Sequence, residues 1–376
     1  MNPFSPTFGA SPPLLAGRDA VLEDFAKAIE TGPGHPNYTT LYLGARGVGK
    51  TVVLNAVEDL ALSHGWLTVS ESASPEGILA RICAAAQRLL ADRRGPVPSR
   101  RVKEVRGPGG AGVDFELDPP DARPEDLRTV LTELGLRLAD DSTGLLITID
   151  ELHDAPLDRV REFGSVLQHV TRREGLPVAF AAAGLPLIED TLLTGDAATF
   201  LQRCARCDID FLDGDAAASA LQRPIEETGG SITADALDSA VGAASGYPFM
   251  VQLVGFLSWE AAKGQAPAIT AEHVAVGVVA AEARLNRQVL EPIRRDLSDV
   301  DRIFLLAMSD DDGESNTSAI GERMGVGPQY VGVYRQRLIA AGMVTPSGHG
   351  RLRFTHHTAL DWLRAKGAAA SEQEPS

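Results

Sequence analysis

Cysteine is scarce. Cys83, Cys204 and Cys207 are the only three, an odd count too small for a disulfide framework. Cys204 and Cys207 have CxxC spacing, but there is no second pair and the histidines lie far off in sequence, so helix packing is preferred to a metal or redox centre. Long apolar runs are also missing, and none approaches the ~20 residues that cross a bilayer. Residues 1–13 contain no basic residue and no apolar core, which argues against a secretory signal and leaves the cytoplasm as the expected location. Basic residues are outnumbered, 35 Lys and Arg against 51 Asp and Glu, for a net charge of −16. That balance excludes a surface that coats nucleic acid as a whole, but not a local basic face. Otherwise the composition is that of an ordinary globular chain, and 376 residues give room for two or three cores.

The first half of the chain alternates short apolar runs with amphipathic stretches. Strands are expected over 38–43, 66–70, 145–149, 177–183 and 208–212, and helices over 51–64, 78–90, 125–140 and 156–173. Strands this apolar, each followed by a helix, predict a parallel sheet covered on both faces. Residues 92–124, DRRGPVPSRRVKEVRGPGGAGVDFELDPPDARP, are rich in Pro and Gly and predict a flexible insertion. A solvated loop is its plain reading, and contact of its basic half with a polyanion is the alternative.

At 44–51 the sequence reads GARGVGKT, matching G-x-x-x-x-G-K-[ST] between a strand and a helix. The glycines let backbone amides turn inward, and those amides with the positive helix end cradle phosphates. The expected nucleotide set is Gly44, Ala45, Arg46, Gly47, Val48, Gly49, Lys50, Thr51 and Val52. Lys50 reaches the β- and γ-phosphates and Thr51 supplies a Mg²⁺ ligand. A second buried strand, LLITI, ends in Asp150 and Glu151. Asp150 is expected to hold Mg²⁺ and Glu151 to orient or deprotonate the attacking water. ATP and Mg²⁺ are therefore the expected ligand and cofactor.

After 213 strands give way to helices over 215–228, 233–244, 248–263 and 270–295. From 297 the order becomes helix, acidic turn, short helix with N-cap candidates at Asn316 to Ser318, helix over 328–341, then strands over 343–346 and 351–355. That is the order of a winged helix-turn-helix. The fold class expected is α/β: a P-loop ATPase parallel sheet covered by helices (14–212), an all-α lid (213–295) and a winged helix-turn-helix (296–365), with a disordered tail (366–376).

These motifs in this order resemble the AAA+ and related STAND ATPases, with closer likeness to the origin-recognition-like group that carries a C-terminal winged helix. Gly17-Arg18-Asp19 is similar to the G-R-[DE] element near the adenine in that group. Ser245-Gly246-Tyr247-Pro248 resembles the lid element that packs against the base, so Arg18, Tyr247 and Pro248 join the expected nucleotide set. The resemblance would place an arginine finger at Arg203 or Arg206, on its own chain or a neighbour's. Two departures predict slow hydrolysis. The strand ending at Ala181 to Gly184 lacks the usual polar residue, and Gly-Tyr-Pro stands where many members carry a lid arginine.

Between Pro328 and Thr355 the chain carries Arg335, Arg337, Arg351 and Arg353 and no acid, the footprint expected of a duplex DNA contact, with His349 at the wing tip. The alternative implied by the STAND likeness is an intramolecular brake, with His356 or His357 turned back toward the phosphates. An ATP-driven switch acting on DNA is the expected function; a signalling ATPase whose winged helix is a brake or protein-interaction module is the alternative. Homo-oligomer or protein partners stay open, and no membrane contact is expected.

Overall fold

A computed structural model of the chain describes residues 1–7, 11–74, 77–94, 126–186, 188, 199–311, 313–348 and 350–355. The remainder of the expected insertion, the tail, and His349, His356 and His357 lie outside the described residues.

Five parallel strands form the central sheet: β1 (Thr39–Leu43), β2 (Leu67–Ser72), β3 (Leu145–Asp150), β4 (Val178–Gly184) and β5 (Ala205–Asp208), in the order β2-β3-β4-β1-β5. Period-two alternation sends each strand's side chains to opposite faces. Leu145, Ile147 and Ile149 of β3 and Phe180 and Ala182 of β4 face one apolar cluster, with Ile82, Leu131, Leu134 and Phe163 from the helices α3 (Ile78–Arg94), α4 (Leu127–Asp140) and α5 (Leu157–Gln168). Leu146, Tyr42 and Ala179, Ala181 and Ala183 face the other, with Phe25 from α1 (Asp19–Thr31) and Val53 and Val57 from α2 (Lys50–Ser63). The alanines on that face of β4 give α2 a close seat on the sheet. α3 continues to Arg94, so the first residues of the expected insertion are helical.

The expected strand at 208–212 is displaced. Its ladder with β1 runs from Ala205 to Asp208, opposite Thr40 to Leu43. The apolar run that suggested 208–212 has a different use: Ile209 is buried in the sheet's helix-covered face, and Phe211 packs on Tyr247 with ring centroids 5.7 Å apart. The cysteines are corrected likewise. Cys207 lies on β5 rather than a helix, and Cys204 donates to the Phe200 carbonyl of the short helix α6 (Thr199–Gln202). Burial pushes the Cys204 thiol up to about 12, and both thiols are free. No metal-holding group of His, Cys, Asp or Glu is present among the described residues, and no helix there is long and apolar enough to cross a membrane.

The helices α7 (Gly214–Glu227), α8 (Ala234–Ala244), α9 (Pro248–Ala262) and α10 (Ala271–Leu285) follow, with the short parallel strands β6 (Ser231–Ile232) and β7 (Ala268–Ile269) between them where only helices were expected, then a π-helical turn at Asn286–Leu290 and α11 (Glu291–Asp296). Next come α12 (Asp299–Ser309), α13 (Thr317–Met324) and α14 (Pro328–Ala340), with β8 (Glu314–Asn316), β9 (Val344–Gly348) and β10 (Arg351–Phe354) in the antiparallel order β8-β10-β9. β8 was not legible as a strand: three residues, ESN, carry no apolar pattern and owe their conformation to pairing with β10. Both helical groups contribute to one apolar cluster, from Ala217 and Val254 to Phe304, Leu338 and Leu352.

Phe4 belongs to that cluster too. Residues 1–7 form a strap on α9. The Phe4 ring fills a slot at Gly255, where a Cβ would come within 2.6 Å of it. Asn2 donates to the Phe256 carbonyl at 3.1 Å and to Glu260 Oε1 at 2.9 Å, and the Ser5 amide donates to Gln252 Oε1 at 3.2 Å. Removing a buried Phe commonly costs about 3 kcal/mol or more, whereas two of these three hydrogen bonds are exposed to competing water. Phe4→Ala is therefore expected to release the strap, measured as loss of hydrogen-exchange protection at the Ser5 amide while α2 stays protected. Retained protection would show that the polar bonds alone hold it.

Candidate nucleotide site

β1 delivers the chain into the loop 44–49, and α2 begins at Lys50 with Gly49 as its left-handed N-cap. The positive end of a 14-residue helix thus closes the loop. Gly47 has φ +79°, and a Cβ there would stand 1.9 Å from the Tyr247 hydroxyl. Only glycine fits that approach. The loop is therefore wedged from behind by Tyr247, which is buried between Phe211 and Phe249.

Lys50 is 6% exposed, and its Nζ donates to the Ala45 carbonyl at 2.8 Å. Burial lowers its pKa; Glu151 and then Asp150 oppose the shift. Thr51 Oγ1 donates to Asp150 Oδ2 at 2.7 Å, and the Glu151 amide donates to Asp150 Oδ1 at 2.8 Å. β3 ends at Asp150, and Glu151 turns left-handed with φ +51°. A hydroxyl and a carboxylate oxygen side by side are hard oxygen donors suited to Mg²⁺.

A cavity of about 510 Å³ opens over these groups, within the range of small-ligand pockets. Arg46 to Val52 and Glu151 line one side, Arg18 and Leu15 another, and Pro248, Phe249 and Gln252 of α9 a third. Ser5, Pro6 and Thr7 of the strap complete the wall. Arg18 is buried, and its guanidinium donates to the carbonyls of Val48, at 3.4 Å, and Asp210. It ties the loop to the segment after β5.

Residues 14–181 match the AAA ATPase domain family, and residues 287–363 match a family described as a domain of unknown function. Residues 14–181 form a P-loop ATPase domain of the AAA+ class. The Walker-type ATPase PABY2304 of Pyrococcus abyssi is similar in structure, with TM-score 0.63, 14% identity, and coverage of 93% of this chain and 96% of that one. So is the ORC2 protein of Aeropyrum pernix in its ADPNP–ADP complexes, with TM-score 0.58, 15% identity, and coverage of 96% and 98%. At such identities the likeness is one of fold. No curated protein matches by sequence.

Within this AAA+ frame the expected site residues separate into two groups. Gly47, Val48, Gly49, Lys50, Thr51, Val52, Arg46, Arg18, Pro248 and Glu151 line one cavity. Asp150 stands behind Thr51, and Tyr247 stands behind the loop rather than in the wall. Arg203 and Arg206 are exposed and do not line the cavity. Arg206 pairs in register with Leu41, three residues or about 10 Å upstream of the P-loop along the sheet.

The C-terminal arginines meet different neighbours. Arg337 pairs with the buried Asp301 at 2.8 Å. Arg351 pairs with Glu314 at 3.3 Å. The Arg353 guanidinium lies 5.9 Å from the Phe211 ring centre. Arg335 lines a cleft of about 850 Å³ with Thr317, Ser318 and Gly350, and its Nε has no hydrogen-bond partner. Sequence reading missed the acids because they lie before residue 328, outside the acid-free stretch. It also missed the strap and His153, which follows the carboxylate pair as D-E-L-H. That short spacing was the available signal.

Proposed function

We propose that the chain binds ATP or ADP with Mg²⁺ in the 510 Å³ cavity and hydrolyses ATP slowly, and that nucleotide state governs a C-terminal winged helix. The observation that carries this reading is the Thr51–Asp150 contact at 2.7 Å, with Lys50 beside it under the loop. The ORC2 protein of similar fold carries ADPNP and ADP, and the same ligand class is assigned here. Thr51 and Asp150 would hold Mg²⁺, which when bound neutralises phosphate charge. Lys50 binds the β- and γ-phosphates. Glu151 accepts the proton of the attacking water, whose oxygen bonds to the γ-phosphorus as ADP leaves. Slow turnover follows from β4, whose end, Ala181 to Gly184, offers no side-chain donor; one missing transition-state donor costs about 3–4 kcal/mol, or roughly 100- to 1,000-fold. Arg203 or Arg206 would restore part of this only from a neighbouring copy, since neither lines the cavity of its own chain.

Helices α12 to α14 with β8 to β10 are read as the winged helix. Two states fit them. In the arrangement described here Arg337 is held by Asp301, and Arg353 rests on Phe211, which packs on Tyr247 behind Gly47. That route from the wing to the P-loop favours a brake while docked. Release would free the arginines for duplex DNA. Four phosphate contacts give log K against log[salt] a slope of about −3 to −4. Fluorescence anisotropy on a DNA duplex at low salt tests this: binding is expected with a non-hydrolysable ATP analogue, weaker with ADP, and lost when Arg335, Arg337, Arg351 and Arg353 are all alanine. Absence of duplex binding in both nucleotide states would leave the brake reading alone.

A further inference from the structure

Besides Lys50, whose charge Glu151 feels across the cavity, the Glu151 carboxylate has His153 within ion-pair distance. His153 Nε2 lies 3.3 Å from Glu151 Oε2. The His153 side chain is 9% exposed, whereas that of Glu151 is 43% exposed, so the imidazole is the fixed partner and the carboxylate the mobile one. The fixing is local. Leu152–Asp154 is a single 3₁₀ turn, Leu152 is buried, and the Asp154 amide closes the turn on the Glu151 carbonyl at 2.8 Å. A Cβ added at Gly184, the end of β4, would lie 3.8 Å from the His153 amide. The turn therefore sits beside the strand end that lacks a polar side chain. The other ring nitrogen, Nδ1, is buried without a hydrogen-bond partner. Asp154 approaches Nε2 at 3.8 Å, the longer of the two carboxylate distances.

We propose that His153 is a positioning residue for hydrolysis: with its Nε2 3.3 Å from Glu151 Oε2, the buried imidazole serves as a donor that holds that carboxylate at the cavity. This rests on the assignment of Glu151 as the base for water. A freely rotating glutamate points at the water only part of the time, and misplacing a catalytic group by about 1 Å costs on the order of 100-fold. An imidazole donor removes that freedom without touching the phosphates. His153 thus acts on turnover and not on affinity.

A double-mutant cycle tests it. His153→Ala is expected to lower kcat by about 10- to 100-fold at saturating Mg-ATP, with the Kd for fluorescent ADP unchanged within twofold. In a Glu151→Gln background the same substitution is expected to change single-turnover hydrolysis by less than about threefold, because its target is gone. His153→Gln, which keeps an amide donor, is expected to recover most of the loss; it carries the cycle if His153→Ala does not fold. A readout without nucleotide is available: the His153 ring ¹⁵N resonances, assigned by their loss in His153→Gln, are expected to shift on Glu151→Gln. Unchanged kcat in His153→Ala, an equal fall in both backgrounds, or ring resonances indifferent to residue 151 would each overturn the proposal. If the wild type binds no ATP, the failure belongs to the proposed function instead.

Discussion

Glu151→Gln is expected to bind Mg-ATP with wild-type affinity and to hydrolyse it about 100- to 10,000-fold more slowly, the range spanned by loss of a general base. Glutamine keeps the side-chain length. Its left-handed backbone cost is similar to that of glutamate, so the turn at φ +51° is retained. The Asp150–amide bond is also retained, because it uses the backbone of residue 151. Lys50, Thr51 and Asp150 are untouched, so the groups that bind phosphate and metal remain. What disappears is the proton acceptor. The side chain is half-exposed, and its loss carries no packing penalty, so melting temperature should stay within a degree or two. Phosphate release at saturating Mg-ATP and calorimetry on the same preparation separate the two parameters. Unchanged turnover would remove Glu151 from the mechanism and take the role of His153 with it. Weakened binding with unchanged turnover would move Glu151 to the ligand-holding set.

The P-loop and the carboxylate pair were legible because each is made by one short stretch of chain. Gly44 to Thr51 contains its own turn, donors and helix start, and LLITIDE contains both the buried strand and the acid at its end. The alternation of apolar strands with helices was equally local, and it implied a parallel sheet covered on both faces. Features made by distant partners were not legible. β5 ends at Asp208 because β1 leaves the sheet after Leu43, which nothing in residues 205–212 records. The strap depends on a slot at Gly255, roughly 250 positions away. The four C-terminal arginines were grouped by charge counted along the chain, which leaves out partners from elsewhere. In space Asp301 and Glu314 stand opposite two of them, and an aromatic ring opposite a third.

Lys50→Met separates stability from binding more sharply than any other substitution in the site. Lys50 is almost fully buried with one carbonyl for a partner, and burial pulls its pKa below the ordinary value of 10.5. The unfolded chain therefore binds the proton more tightly than the folded one. Stability rises with pH between the lowered value and 10.5, and below both values the full cost of the buried ammonium is present. At neutral pH the nucleotide-free protein thus carries an unfavourable charge that a phosphate would compensate. Methionine has similar length, no charge and a flexible chain that fits the same channel. The nucleotide-free variant is expected to melt no lower than wild type. Its response to ligand should vanish. For wild type, ADP with Mg²⁺ at about 100 times Kd adds roughly 2.7 kcal/mol, which for a chain of this size raises the melting temperature by about 3 °C. For Lys50→Met that shift should be absent at the same concentration. A variant that melts well below wild type would mean that the bond to the Ala45 carbonyl outweighs the buried charge. A variant that keeps the ligand shift would mean that the phosphates lie away from Lys50, and the assignment of the cavity would fall with it.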